Sequence, residues 1–124
     1  MATINFSGLQ YNTTQKFVET PAFPMADKNA VSATVVASNW GSLVGTFEVL
    51  LYTCDDNVNW APLGTMGTFT ADAVKILRAG RSAAGPWGST GAVTQAWAKI
   101  RFAPPSGTPT ALAMFNVIAN TVID

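Results

Sequence analysis

Apolar and polar residues alternate with a period of two in run after run of this chain. Such a pattern leaves few options besides β-sheet with one buried face. In 31–37, Val31, Ala33, Val35 and Ala37 fall on one side, and Ser32, Thr34 and Val36 on the other. The run 46–53 puts Phe47, Val49 and Leu51 on one face and Thr46, Glu48, Leu50 and Tyr52 on the other. Both of those faces are rather apolar, which predicts a central strand. In 95–102, Ala96, Ala98, Ile100 and Phe102 oppose Trp97, Lys99 and Arg101. The charged side is expected to face outward, with Trp97 packed along the aliphatic stem of Lys99 or Arg101. The stretch 112–123 is rich in β-branched and apolar residues and contains no Glu, Lys or Gln, which predicts a closing strand rather than a helix. Shorter strands are expected at 4–6, 16–20, 65–70 and 74–78.

Turn-forming residues separate these runs. Pro21 and Pro24, and the stretches 39–45, 55–59, 79–91 and 104–109, carry the Gly, Pro, Asn and Asp that set turn geometry. Seven or eight strands at this spacing in 124 residues predict an all-β fold, a single-domain antiparallel β-sandwich of jelly-roll type with long Gly-rich loops. Residues 1–14 read as an extended N-terminal arm. The longest irregular stretch, 79–91, holds four glycines, a proline and Trp87. Loops of that length in a small domain are usually functional or disordered.

The chain has no His, which removes Ser-His-Asp and Cys-His arrangements, the HExxH zinc site and any imidazole acid or base. Seven Lys plus Arg balance seven Asp plus Glu, so no net charge steers the chain to nucleic acid or an anionic membrane. No GxGxxG or GxxxxGK[ST] motif occurs. The acids Glu19, Glu48, Asp55, Asp56 and Asp72 are too few and too loop-biased for a paired-carboxylate hydrolase. Enzyme activity and a bound cofactor are therefore not expected. Asp55, Asp56, Asn57 and Asn59 gather oxygen donors in one loop, as a calcium site would. The spacing lacks the EF-hand glutamate, so a strand-to-strand turn is the stronger reading and no metal is assigned. Cys54 is the only cysteine, which leaves no intrachain disulfide and reads as a small buried hydrophobe. The first residues show neither a basic n-region nor an apolar h-region, no apolar run reaches the length of a membrane helix, and synthesis in a cytoplasm is expected. On that expectation the sequon at Asn12 is chance.

Hydrophobic residues make up 48% of the chain and charged residues 11%, against roughly 25% charged in a typical soluble domain. So little surface charge favours a protein whose apolar surface is covered by partners. Trp60 and Trp97 each lie beside an expected strand and read as core or rim. Trp40 and Trp87 sit in Gly-rich loops, where a ring needs a partner to cover it. The expected partner-binding residues are Phe6, Leu9 and Tyr11 of the N-terminal arm, with Phe23, Trp40, Arg81 and Trp87. Contact is thus expected on loops and arm rather than on strand faces.

The run 45–63, from Gly45 and Thr46 through Tyr52, Thr53, Cys54, Asp55, Asp56, Asn57, Val58, Asn59 and Trp60 to Leu63, resembles a known segment. It is the "strand, Ser-x-Asp-Gly-x-x-Trp-x-x-Leu" segment of discoidin-like sandwiches and of many small bacteriophage virion proteins. The later run Trp97, Ala98, Lys99, Ile100, Arg101, Phe102 is similar to the alternating Arg-containing strand that follows in those proteins. This sequence has Asp56 or Asn57 where the family usually has Gly, and it lacks the two cysteines that bracket extracellular discoidin domains, which favours the phage branch. The resemblance implies a β-sandwich used for attachment to a surface. Its first functional expectation is a capsid decoration or cement protein of a phage virion. Such a protein would be made in the host cytoplasm, bind the major capsid protein, and form a homo-oligomer, a trimer before a dimer. The alternatives are a carbohydrate-binding module, as a tail-fibre tip or lectin-like domain, and another tail or baseplate protein.

Overall fold

The alternating runs form the strands of a computed structural model that describes residues 2–11, 17–38, 46–80, 91–103 and 113–123. In chain order the strands are β1 (Ala2–Tyr11), β2 (Val18–Glu19), β3 (Phe23–Pro24), β4 (Ala30–Ser38), β5 (Phe47–Cys54), β6 (Ala61–Phe69), β7 (Ala73–Ala79), β8 (Trp97–Ala103) and β9 (Ala113–Val122). One sheet has the order β1-β9-β4-β7. The other has the order β2-β8-β5-β6, with β3 also paired to β8, and all pairings are antiparallel. Between β2 and β3, the Thr20 amide donates to the Ile100 carbonyl at 2.9 Å, and the Ile100 amide donates to Thr20 Oγ1 at 3.0 Å. β2 and β3 are thus one strand, interrupted near Pro21, running along β8. Counted as one, they give an eight-strand order in which every connection except the β5–β6 hairpin crosses between sheets. This is the jelly-roll arrangement the sequence predicts.

Alternation decides which side chains fill the space between the sheets. Val31, Ala33, Val35 and Ala37 of β4, Phe47, Val49 and Leu51 of β5, Ala98, Ile100 and Phe102 of β8, and Phe115, Val117 and Ala119 of β9 are all buried. Rings dominate the middle of this core. Phe115 stacks on Phe102 at a centroid distance of 4.2 Å and meets Phe47 edge-on at 5.3 Å. Tyr11 meets Phe47 edge-on at 4.8 Å. Offset-stacked and edge-to-face rings add to the area they bury.

Three differences from expectation have local causes. Residues 2–11 are the edge strand β1 rather than an extended arm, because their apolar residues pair in register with β9 from Ala2↔Thr121 to Tyr11↔Ala113. β6 begins at Ala61, four residues before the strand expected at 65–70, and includes Pro62 and Gly64. It is an edge strand, where a missing N–H is tolerated, and register shifts at Val49/Leu50 and Leu51/Tyr52 absorb the irregularity. β3 is two residues long, its second residue is Pro24, and it carries no alternation long enough to see. Gly67, opposite Val49, has a further role: a Cβ there would stand 2.6 Å from Leu77 Cδ2, so the two sheets approach closely at that point.

Candidate functional site

Four of the expected partner residues lie on the inner side of the sandwich. Tyr11 and Phe23 are 0% and 2% exposed and belong to the core, which corrects their assignment to a partner surface. Phe6 and Leu9 are half-buried and pack against the same core, Phe6 at 6.2 Å from the Phe23 ring. Strict alternation would put Phe6 and Leu9 on opposite faces. A bulge after Phe6 brings both inward: Phe6 pairs Val117 and Leu9 pairs Phe115, so Ser7 and Gly8 together oppose Asn116. Gly8 takes φ +72°, and its amide donates to Asn116 Oδ1 at 2.8 Å. Trp40, Arg81 and Trp87 lie outside the described residues. The strand ends that bracket their segments are at opposite ends of the first sheet, since Ala37 pairs Ala73 whereas Ala79 pairs Val31.

The outer face of β1-β9-β4-β7 presents an apolar surface that the strand pattern did not single out. Across it, Asn5, Ile118, Thr34 and Ile76 form one row, and Asn116, Val36 and Val74 the next. Val74 is 67% exposed, Ile76 60%, Ile118 44% and Val36 37%. No Asp or Glu lies among the described outward positions of this sheet, and Arg78 is their one charged residue. Polar groups on the face are engaged locally: Thr3 Oγ1 donates to Asn120 Oδ1 at 2.7 Å, and Asn116 holds the Gly8 amide. Exposed β-branched side chains with few charges beside them, and with Thr3, Asn116 and Asn120 already bonded, can be dehydrated at low cost, which suits contact with another protein.

The outer face of the second sheet is different in kind. Trp97, Lys99 and Arg101 of β8 do face outward, as expected, but the rings that meet the cations come from other elements. Lys99 Nζ lies 4.4 Å from the Trp60 centroid. The Arg101 guanidinium lies 3.7 Å from the Phe17 ring and 4.0 Å from the Tyr52 ring. Glu19 of β2 joins both cations, accepting from Lys99 Nζ at Oε1 and from Arg101 Nε at Oε2, each at 3.0 Å. This grouping fastens the two-residue β2 to the sheet.

The Asp55–Asn59 loop is built as a turn. Asp56 Oδ1 accepts from the amides of Val58 at 2.9 Å and Asn59 at 2.8 Å, and Oδ2 accepts from Asn59 Nδ2 at 2.6 Å. Asp55 Oδ1 accepts from the Ala96 amide, Cys54 Sγ accepts from the Asn57 amide, and Asn57 takes φ 59°. The carboxylate oxygens thus face amide donors of the turn. Those donors, the Asn59 and Val58 amides first, lower the Asp56 pKa from 3.8 to about 2. Because the folded value is depressed, the contribution of this turn is fully present above the unfolded value and is lost as pH falls through about 2. The amide proton shifts of Val58 and Asn59 are expected to titrate with a midpoint near 2 in wild type, with that step missing in Asp56→Asn. A midpoint near the ordinary aspartate value would show that the turn is not held this way.

Among the described residues no three Asp, Glu or Cys side chains converge where a metal ion would sit, and no cavity opens between the strands. No protein-family model matches the chain, and no curated protein matches it.

Proposed function

We propose that this chain is a non-enzymatic structural protein of a virion, a decoration or cement protein that lies on the outer surface of a phage head and ties neighbouring major capsid subunits together. The observation that carries this reading is the outer face of β1-β9-β4-β7, where Val36, Val74, Ile76 and Ile118 are exposed and no carboxylate interrupts them. A jelly roll serves viral capsid and lectin domains alike, so the fold agrees with the reading by analogy only. The face adds a physical reason: an exposed apolar sheet surface with Arg78 as the one charge among its described outward positions fits a broad protein surface better than it fits a small ligand. The sugar-binding alternative asks for open aromatic platforms. Trp60, Tyr52 and Phe17 each already have a cation over the ring. The low charge of the chain also favours self-association, a cyclic trimer before a dimer.

Binding through such a face is a matter of area, at roughly 25 cal/mol per Å² of apolar surface covered, multiplied by repetition over a symmetric shell. With a formal net charge of zero there is little long-range field for salt to screen. Purified protein added to capsids that lack it is expected to co-sediment with them. It should stay bound in a wash from low salt to about 1 M sodium chloride, where the Debye length shrinks to roughly 3 Å. Failure to co-sediment would overturn the decoration role, and wholesale release in the wash would overturn the apolar mode of attachment.

A further inference from the structure

We infer that β1 is an open sheet edge on which a second copy of this chain pairs antiparallel, about a two-fold axis at Ile4. The two sheets present four edges, and three of them carry features that keep another strand away. On β7, Lys75 falls in phase with buried Leu77, and its Nζ donates to the Thr68 carbonyl of β6 at 2.6 Å and lies 5.0 Å from the Phe69 centroid. One lysine thus sets its charge at two edges, β7 of the first sheet and β6 of the second. β6 also includes Pro62 and shifts register twice against β5. The edge made by β2 and β3 is two residues and two more, with Pro21 between them, Pro24 inside β3, and Glu19 paired to Lys99 and Arg101. Residues 2–11 contain no Lys, Arg, Asp, Glu or Pro. Among the described residues β9 is the one strand that pairs with them. An edge strand turns alternate N–H and C=O groups away from its neighbour, and on β1 no second ladder among the described residues takes them.

Pattern and closure together name the occupant. Ala2, Thr3, Ile4, Asn5 and Phe6 read apolar, polar, apolar, polar, apolar, the same in either direction. They are also the stretch that pairs with β9 without a shift, before the bulge at Ser7 and Gly8. Turned antiparallel onto itself about Ile4, this stretch sets Thr3 against Asn5 of the second copy on the outer face and Ile4 against Ile4 on the inner one. Like thus meets like in polarity, and no equal charges face each other. Ile4 and Phe6 pack on the core yet stay half-buried, so a neighbouring strand has apolar surface left to cover. With the other three edges closed, β1 can pair only with another β1. Such a contact uses the same surface on both copies and stops at two, whereas a head-to-tail ring would need a second open edge. Edge pairing therefore puts a dimer ahead of the cyclic trimer that low charge alone favours. It joins two four-stranded sheets into one, with both apolar outer faces on the same side. The inference does not rest on the virion reading, since it needs no particle.

The test is sedimentation equilibrium of the full chain, with amide hydrogen exchange of residues 2–6 measured across the same concentrations. A reversible dimer is expected, and alternate amides of that stretch should exchange more slowly as the dimer fills. Thr3 and Asn5 are exposed on the outer face, so charges there leave the core alone. Thr3→Lys/Asn5→Lys protein and Thr3→Glu/Asn5→Glu protein are each expected to dimerise about tenfold more weakly, because either pair of changes sets like charges along the seam. An equimolar mixture of the two should recover the dimer, which general destabilisation would not do. Ile76→Glu, on the far strand of the same sheet, should dimerise as wild type does. Wild-type chain that stays monomeric at about 1 mM, or that forms a trimer, would overturn the inference. So would dimers in which the amides of residues 2–6 gain no protection, or a mixture of folded Lys and Glu proteins that stays monomeric. Loss of the dimer in folded Ile76→Glu protein would move self-association from the β1 edge to the apolar face.

Discussion

Phe115→Ala is expected to lower the unfolding free energy by about 3–5 kcal/mol, the largest stability loss from any single truncation among the described residues. Phe115 is fully buried on β9, a strand with neighbours on both sides, and its ring touches the opposite sheet through Phe102 and Phe47. Phe69 of β6 lies edge-on at 6.1 Å. Deleting the ring removes its transfer free energy and leaves a void between two sheets whose backbones are held by their own ladders and cannot collapse to fill it. The loss also breaks the stacked pair and two edge-to-face pairs, each worth about 0.5–1.5 kcal/mol beyond area. Against a total of about 5–15 kcal/mol for a domain, this leaves a protein near the edge of folding. Urea unfolding should show a midpoint shifted far down with the slope kept, and Phe115→Leu should recover part of the loss. A drop below about 1 kcal/mol would mean that the ring cluster is not the centre of the fold.

The same chemistry explains what could be read from the sequence. β4, β5, β8 and β9 were legible because period-two alternation is a property of neighbouring residues, and Val31 to Ala37 or Phe47 to Leu51 show it without tertiary information. The β5–β6 turn was legible for the same local reason, since Asp56 bonds to amides two and three residues on. The inward turn of Phe6, Leu9 and Tyr11 depends instead on a single bulge at Ser7 and Gly8, which changes the phase of the strand and cannot be told from an ordinary glycine in a polar run. Phe23 was hidden because it lies between Pro21 and Pro24, in a strand of two residues of which Pro24 is the second. Lys99 and Arg101 were legible as an outward charged pair, but their carboxylate is Glu19, some eighty residues away along the chain and adjacent only because β2 pairs with β8. The apolar outer face was missed for a subtler reason. Val36 and Ile118 interrupt otherwise alternating strands, and an apolar residue on both sides of a strand normally marks a strand covered on both faces. Only the register, which aligns Ile118, Thr34 and Ile76 in one row, shows these residues to be a patch in the isolated chain.

Ile76→Glu is expected to weaken attachment to capsids by more than a hundredfold while leaving the melting temperature nearly unchanged. Ile76 sits on the edge strand β7, 60% exposed, so its replacement removes little from the core of the isolated protein. In the bound state it would be covered. The lost burial of an isoleucine is worth about 1.5–3 kcal/mol, and a carboxylate forced against a face with no positive neighbour closer than Arg78, two residues along the strand, adds a desolvation cost of several kcal/mol. At about 1.4 kcal/mol per factor of ten, the lost burial alone amounts to about one to two decades, and the desolvation cost carries the sum past two. Val58→Glu is the informative control. Val58 is more exposed still, at 73%, but it stands alone in the β5–β6 turn, where a single exposed apolar residue needs no partner. It should attach as wild type does. If Ile76→Glu protein bound capsids as tightly as wild type, or if Val58→Glu weakened binding equally, attachment would not run through the β1-β9-β4-β7 face. It would then fall to surfaces outside that sheet, with Trp40 and Trp87 the next residues to replace.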